Sequence, residues 1–489
     1  MHYLIGHAVP DDAFYYFQTA RNIAHGHGVS VDGEVWANGF HPLWMLLLVP
    51  IFAVFRGDPD TPIHVALTVS ALVTSGSGVL VYLTARRLGL GGFPSLVATA
   101  LYLFHPVVVF MSIDGMETGL NLSLFVATLY CFVRAHQQRS TAAYILAGSS
   151  AGLLILSRTD YGIAAAAMLL WLAWRSRRPE AIGSLAVPAL VVTAPWFVWN
   201  QIVFGSPLQV SADAVPYVSH KLFSQSDAST LGILHHAAEQ MREGALRTLP
   251  YFYFTPTRAT AGLAVAFLTV IVVAAAFIAW RDARSAVRDI RLLAVPAAGL
   301  IAQFVVHAGI RWYLREWYLV AVFPLIALLI ALVVQASLES RFRLFAAAVL
   351  GAVVLTATIP TGIRTYGGGW YPVQLDMLAA ARWIDATTPR DTRVGAFNSG
   401  LVGYYSNRQT VNLDGVMNPD AADAIRRREL GPYMDRRRID LLVDFPLYPL
   451  YVYRGFIGRP LGERLIASFD AHPTFQGPFN VYALPTASP

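Results

Sequence analysis

Asp11 and Asp12 stand side by side at the head of DDAFYYFQTARNIAHGHGVSVDGEVWANGFHPLW, a polar and aromatic stretch in an otherwise mostly apolar chain. One carboxylate of such a pair can take the proton of a hydroxyl nucleophile. Its neighbour resists sharing negative charge, which shifts the protonation of the pair and leaves the second group to hold a metal ion or position a substrate. The plainer alternative is that Asp12 caps a helix over AFYYFQTARNIA and complements its dipole. Other acids and cations recur downstream: Asp114 and Glu117 in SIDGMET, Arg158 and Asp160 in SRTDY, Lys221 closing FGSPLQVSADAVPYVSHK, and Arg311 and Arg315 in IRWYLREW. Glu117 could orient an acceptor hydroxyl or hold a cation, or Asp114 and Glu117 could simply open the next helix. Asp160 reads as an ion-pair partner of Arg158. The cations suit a phosphate leaving group, arginine through a bidentate fork and lysine as a point charge, while snorkelling toward lipid headgroups is the alternative for each. His25, His27 and His41 raise zinc, but their spacing matches no zinc signature and turn or interface histidines are the better reading.

These residues need a scaffold, and composition names it. The 489 residues are 55% hydrophobic and 13% charged, with mean hydropathy +0.49, more apolar sequence than a soluble core uses. A polytopic membrane protein is expected, with the lipid bilayer as its first partner. The basic balance rests on arginine, since Lys221 is the only lysine, and the arginines are spread between apolar segments, so nucleic acid is not an expected partner. Cys131 is the sole cysteine, which excludes an intramolecular disulfide. About ten segments approach spanning length: Pro62 to Ala85, Phe93 to Met111, Thr118 to Val133, Ala142 to Leu156, Tyr161 to Trp174, Ile182 to Phe204, Ala259 to Trp280, Leu292 to Ile310, Trp317 to Gln335 and Phe345 to Ile359. The run Pro42 to Phe55 is too short to cross, about 20 Å as a helix, and reads as interfacial or re-entrant.

Arginine bias orients the chain. Arg86 and Arg87, Arg134 and Arg139, Arg175 to Arg178, Arg281 to Arg291, and Arg341 and Arg343 fall in every second connection, which is therefore cytoplasmic. The acidic first loop and the chain beyond Pro360 then lie outside. An external start at residue 10 needs something to translocate it, and MHYLIGHAVP is too short to span, so a first helix upstream of Asp11 is expected. The tail changes to Gly, Arg, Asp and Pro with short apolar runs, the pattern of a soluble mixed α/β domain. Leu375 to Asp385 reads as an amphipathic helix, Arg393 to Phe397 and Gln409 to Leu413 as strands around a glycine-rich turn, and Asp440 to Phe445 as a buried strand. The glycines of NSGLVGYYSNRQTVNLDG lack the spacing of a dinucleotide or phosphate loop, so no nucleotide cofactor is expected. Arg426 to Arg428 with Arg436 to Arg438 reads as a solvated face.

With these motifs in view, DDAFYYFQTARNIAHGHG followed by NGFHPLW resembles the first external loop of the GT-C superfamily of membrane glycosyltransferases. DGMETGL, the FGSPLQVS loop with its lysine, REWYL and RVGAFNSGLVGYYSNRQTVNLDG are similar to further family features, in the same order. Within the superfamily the likeness is to the bacterial branch with the mycobacterial arabinofuranosyltransferases, and more distantly to aminoarabinose transferases and protein O-mannosyltransferases. The resemblance implies a mainly α, multi-pass helical bundle (62–360), preceded by the first external loop (1–61) and followed by an extracytoplasmic α/β domain (361–489), in a bacterial plasma membrane. It also implies an inverting transfer from a polyprenyl-phosphate sugar to a hydroxyl of a cell-wall glycan, glycolipid or protein, with arabinofuranose the leading sugar and mannose next. By match to the family pattern, Asp11 is the catalytic base and Asp12 positions the acceptor or a divalent cation. Glu117, Asn38 and His41 line the acceptor side, and Lys221, Arg315, Arg311 and Arg158 meet the donor phosphate. The competing class is a transporter or flippase for a lipid-linked sugar, given Pro106, Pro188, Pro195, Pro296 and Pro324 inside apolar segments; no inverted repeat supports it, and the carboxylates gather at one surface rather than the midplane. A receptor or scaffold would not need the acids.

Overall fold

The computed structural model describes residues 1–223, 288–309, 316–318, 320–338 and 369–485, with isolated positions besides. The first loop holds α1 (His2–His7), α2 (Asp11–Ala24) and α3 (Pro42–Val54). The apolar bundle follows with α4 (Thr61–Arg87), α5 (Gly92–Leu103), α6 (Pro106–Met111), α7 (Thr118–Gln138), α8 (Thr141–Ser157), α9 (Gly162–Ser176) and α10 (Pro179–Phe204). Next come α11 (Ser211–Phe223), α12 (Ala294–Gly309) and α13 (Val322–Leu338). Among the described residues α4, α7, α10 and the stretch Asp289–His307 are long and apolar enough to cross a membrane. The rest of the bundle is built from shorter apolar helices that pack on them.

The expected segments recur with sharper ends. Phe93 to Met111 is the exception, because it divides into α5 and α6 at His105, where Pro106 opens the second piece and His105 accepts the Val107 N–H. The run at Pro42 forms a helix of 13 residues, too short to span as expected. Ala259 to Trp280 and most of Phe345 to Ile359 lie outside the described residues.

The C-terminal unit contains α14 (Gln374–Thr387), β1 (Arg393–Ala396), α15 (Gly400–Tyr405), β2 (Gln409–Asn412), α16 (Pro419–Arg427), α17 (Leu430–Arg436), β3 (Leu441–Asp444), α18 (Arg454–Ile457), β4 (Arg464–Phe469) and β5 (Phe479–Ala483). Its sheet has the order β2-β1-β3-β5-β4. The first three strands are parallel, while β5 runs antiparallel to both β3 and β4. The three expected strands are present, but the glycine-rich turn between the first two is a short helix, α15, and the last two strands had no reading. Because the crossover from β1 leads to one side and that from β2 returns to the other, the C-terminal ends of β1 and β3 form a topological switch point.

That edge of the sheet docks on α2. The Tyr15 hydroxyl donates to the Phe397 carbonyl at 3.2 Å and accepts from the Ser399 N–H at 3.2 Å. Around this contact the first loop adds a ring of polar ties: Arg437 to Asp32 at 2.6 Å and to Glu34 at 3.0 Å, Arg393 to Glu34 at 2.8 Å, and the Tyr405 hydroxyl to Asp60 at 2.8 Å. Backbone approaches backbone closely at two glycines. A Cβ on Gly400 would overlap the Asp11 carbonyl oxygen, and one on Gly39 would overlap the Val416 carbonyl oxygen.

Gly39→Ala and Gly400→Ala are each expected to lower the unfolding temperature in detergent, at a cost of about 1–3 kcal/mol from forced overpacking. Gly76→Ala, where nothing lies near the added Cβ, is the matched control and should leave that temperature unchanged or raised.

Candidate active site

Pro10 precedes α2 with extended backbone, and both aspartates occupy the first helical turn. Successive helical residues are about 100° apart around the axis, so neighbours diverge and residues four apart align. Asp11 and Tyr15 therefore share one face. Asp11 is 7% exposed and accepts the backbone N–H groups of Leu401 at 2.6 Å and Gly400 at 3.3 Å. Asp12 and Tyr16 share the next face. Asp12 is exposed, and one turn on the Tyr16 hydroxyl accepts the His41 N–H at 3.1 Å.

His41 leads into a buried polar cluster. Its Nε2 lies 3.8 Å from Glu117 Oε1, and Arg158 Nη1 donates to the same oxygen at 2.7 Å. The Arg158 guanidinium also pairs through Nε with Asp160 at 3.2 Å and lies 4.5 Å from the Tyr318 ring centroid. Asp160 in turn receives Gln303 at 3.3 Å and has His307 at 3.6 Å. Gln209 closes the ring, accepting from Thr159 at 2.9 Å and lying 3.3 Å from His41 Nδ1. Glu117 Oε2 and Asp114 Oδ2 are buried with no hydrogen-bond partner. Asp114 Oδ1 accepts the Met116 N–H at 2.9 Å, which shapes the turn that opens α7.

The electrostatics separate the acids. Burial, more than the charges of Asp12 and Asp444, pushes Asp11 up to about 8 against the two N–H bonds. Asp114 rises to about 8, again chiefly by burial. Burial also acts to raise Asp160, but Arg158, His307 and His41 outweigh it and hold its carboxyl below the usual value. Burial draws the His41 imidazole below its usual value, Glu117 opposing and Arg158 adding to the effect.

The expected residues thus take distinct places. Glu117, His41, Arg158 and Asp160 come together, with the Arg158–Asp160 ion pair formed. Asn38 is fully buried, donating to Asn200 at 3.0 Å and accepting the Val210 N–H at 3.0 Å; it ties the first loop to α10 rather than lining an open wall. Arg158 meets two carboxylates and a ring, which leaves it poorly suited to a phosphate as well. Lys221 is exposed on α11 with Nζ 5.8 Å from the Tyr217 ring centroid, on a helix docked to α16 by a Tyr217 hydroxyl bond to the Arg426 carbonyl at 3.3 Å and an ion pair of Arg426 with Asp213. That pair also takes Arg426 out of the expected solvated face. Arg311 and Arg315 lie outside the described residues, but both flanks, His307 and Tyr318, touch the cluster. His25 and His27 are exposed at the far end of α2 while His41 belongs to the cluster, and among the described residues no three His, Cys, Asp or Glu groups converge as for a metal ion. Tyr16, Gln209, Gln303 and His307 escaped notice in the sequence. A signal existed for the last two, polar residues four apart in an apolar segment, on one helical face.

Residues 40–199, from the end of the first loop through α10, match the family model described as Dolichyl-phosphate-mannose-protein mannosyltransferase. Residues 366–482 match that of a domain of unknown function. No curated protein matches the chain in sequence. Among solved structures, ArnT from Cupriavidus metallidurans bound to undecaprenyl phosphate is similar with TM-score 0.58 and 14% identity, over 98% of this chain and 95% of that one. The chain has the GT-C glycosyltransferase fold. AglB from Archaeoglobus fulgidus, an oligosaccharyltransferase in complex with an inhibitory peptide and a dolichol-phosphate, is similar with TM-score 0.53 and 15% identity, over 92% of this chain and 68% of that one. The match over 40–199 and this GT-C fold bear out the expectation of a membrane glycosyltransferase.

Two outcomes follow from the geometry. Arg158→Met, which strands Glu117 and Asp160 in a buried site, should cost about 3–5 kcal/mol in thermal unfolding, part of it recovered when Glu117→Gln is added. Asp11 keeps its proton in the folded chain up to about pH 8, whereas an unfolded carboxyl releases it near 4. Its stabilising contribution is therefore full in acid and is lost as pH rises through that window. Asp11→Asn, which cannot ionise, should flatten the decline of unfolding temperature between about pH 5 and 8.

Proposed function

We propose that the chain transfers a sugar, with inversion, from a polyprenyl-phosphate donor to a hydroxyl of an extracytoplasmic acceptor, at the outer surface of a bacterial plasma membrane. The observation that carries this is the divergence of the two aspartates: Asp11 is committed to the C-terminal domain, while Asp12 stays exposed on the helical face whose next turn touches the Glu117 cluster. Asp12, rather than Asp11, is then the reacting base. A buried carboxyl that holds its proton to about pH 8 and already accepts two N–H groups is poorly placed to accept another proton, whereas Asp12 is exposed on the next helical face.

In the reaction, the acceptor oxygen attacks the anomeric carbon as its proton passes to Asp12. The bond from that carbon to the phosphate oxygen breaks on the opposite side, and polyprenyl phosphate leaves with the electron pair. Glu117, fixed by Arg158 and His41, backs this face with a buried Oε2 that has no hydrogen-bond partner, to which a sugar or acceptor hydroxyl admitted to the cluster would donate. The leaving phosphate needs cations, and Arg311 and Arg315 are proposed for it, because the chain on both sides of them is anchored to the cluster. Lys221 is the secondary cation. No step is routed through a metal ion, since the described residues offer no convergent ligand set. Arabinofuranose is the first donor sugar to test and mannose the second. Cell-wall glycan is the first acceptor, ahead of glycolipid and protein.

The test is sugar transfer in proteoliposomes from a panel of polyprenyl-phosphate sugars to a cell-wall glycan. Wild type should use one donor, Asp12→Asn should lose about 10²–10⁴-fold in kcat, and Asp11→Asn should retain more activity than Asp12→Asn. The reverse order would return the base to Asp11. No transfer from any donor, with movement of the lipid-linked sugar across the bilayer, would replace this reading with a flippase.

A further inference from the structure

A cleft of about 310 Å³ opens on the C-terminal unit between α16 and α17, on elements that carry none of the candidate active-site residues. Its walls follow from helical periodicity. Asp420, Ala424 and Arg427 are spaced four and three apart on α16, and Glu429, Tyr433 and Arg436 repeat that spacing at α17, so each helix turns one face to the opening. Between them Arg428 takes the left-handed conformation at φ 60°, which a residue with a long side chain seldom adopts, and this reversal sets the two faces side by side. Ala424 and Tyr433 are buried and form the floor. Tyr433 is also tied to the rest of the domain. The Asn418 amide donates to its hydroxyl at 2.8 Å and to the Asn412 carbonyl at 2.9 Å, and Asn412 donates to Ser399 at 3.0 Å, whose N–H bonds the Tyr15 hydroxyl of α2 at 3.2 Å.

The rim is charged, with three acids and three arginines. Two of the six are held from outside the cleft: Asp423 by Arg426, and Arg437 by Asp32 and Glu34 of the first loop. The other four, Asp420, Arg427, Glu429 and Arg436, are exposed, and among the described residues they form no ion pair although both signs line one opening. A second observation points to a ligand. Arg437 bonds Asp32 through Nη2, but its Nε is buried and has no hydrogen-bond partner. A buried donor left unmade costs free energy that an oxygen in the cleft would restore. Equal numbers of acids and arginines disfavour an inorganic phosphate or a polyanion, and a floor of only Ala424 and Tyr433 disfavours a lipid tail. A neutral molecule whose every group both donates and accepts fits, because carboxylates take hydroxyl protons and guanidiniums donate to hydroxyl oxygens. The volume is at the lower end for small-molecule sites, which suits a short run of sugar.

We propose that the cleft between α16 and α17 binds a short segment of neutral oligosaccharide, with Asp420 and Glu429 accepting its hydroxyls and Arg427, Arg436 and the Nε of Arg437 donating to its oxygens. The site is distinct from the one assigned to transfer. That its occupant is sugar rests on the cleft alone, and that the sugar belongs to the acceptor rests on the transferase reading. Through Tyr433, Asn418, Asn412 and Ser399 the floor is joined to α2, so a glycan seated here is held in a set relation to the helix that carries Asp12. The cleft then favours acceptors long enough to reach both places.

The experiment is calorimetric titration of the full chain in lipid nanodiscs with three neutral trisaccharides (arabinotriose, mannotriose, maltotriose), and with inorganic phosphate as the comparison probe. Wild type should bind at least one trisaccharide and should not bind phosphate in its place. The double variant Glu429→Ala, Arg436→Ala alters two exposed side chains, so its unfolding temperature should be unchanged while that trisaccharide binds at least tenfold more weakly. Asp12→Asn should bind it as wild type does. No trisaccharide bound by wild type, equal binding by the double variant, loss in Asp12→Asn instead, or displacement of the sugar by phosphate would each overturn the assignment. In transfer, the double variant should raise KM for a trisaccharide acceptor and leave transfer to an octyl monoglycoside unchanged; equal KM would again overturn it. Trisaccharide binding that the double variant loses, in a wild type that transfers no sugar, would remove the transferase reading and uphold the cleft.

Discussion

The structure turns on one carboxylate meeting two backbone N–H groups. Asp11 reaches from the first turn of α2 to the N–H groups of Gly400 and Leu401, and this bond ties the C-terminal sheet unit to the first loop. Burial increases both the strength of such a bond and the cost of losing it. The glycines at 39 and 400 follow from the same contact, since two backbones cannot meet so closely with a Cβ between them. Tyr15, one turn along from Asp11, repeats the tie at Phe397 and Ser399.

With Asp11 engaged on one face of α2, its neighbour is exposed on the next. An α-helix cannot point adjacent side chains the same way, so a helix clamped through Asp11 must show Asp12 elsewhere. The adjacent acids are therefore a buried anchor and an exposed group rather than a symmetric pair. Behind them the Glu117, Arg158 and Asp160 cluster behaves as a rigid back wall. Its arginine is bonded to both acids, its histidines and glutamines reach it from the first loop, α12 and the connection before α11, and among the described residues Glu117 Oε2 and Gln303 Oε1 are its atoms without a hydrogen-bond partner. A buried ion pair of this sort adds little to stability compared with an apolar substitute, but it is costly to break.

Much of this was legible along the chain, and the failures are instructive. The spanning helices declare themselves because a bilayer demands a long apolar run and nothing subtler, and among the described residues the segment that differs, Phe93 to Met111, is divided by the proline at 106 within it. The ion pair of Arg158 and Asp160 was legible because an unpaired charge at that depth is prohibitive. The helix Gly400–Tyr405 was not. GLVGYY looks like a turn because it is short and carries two glycines, and Ser399 at its N-cap makes no capping bond. Its cap is Asp11, almost four hundred residues earlier, and no local pattern can announce a partner supplied by another domain.

The sequence by itself determined the membrane bundle, the mixed α/β tail with its first three strands, and the inventory of acids and cations, because each is written in local composition or in short-range periodicity. Only the tertiary structure decided which aspartate is buried and which is open. The residue types and their spacing are symmetric on this point, and the difference arises when one helical face meets the N–H groups of a distant segment while the next face, about 100° away, does not.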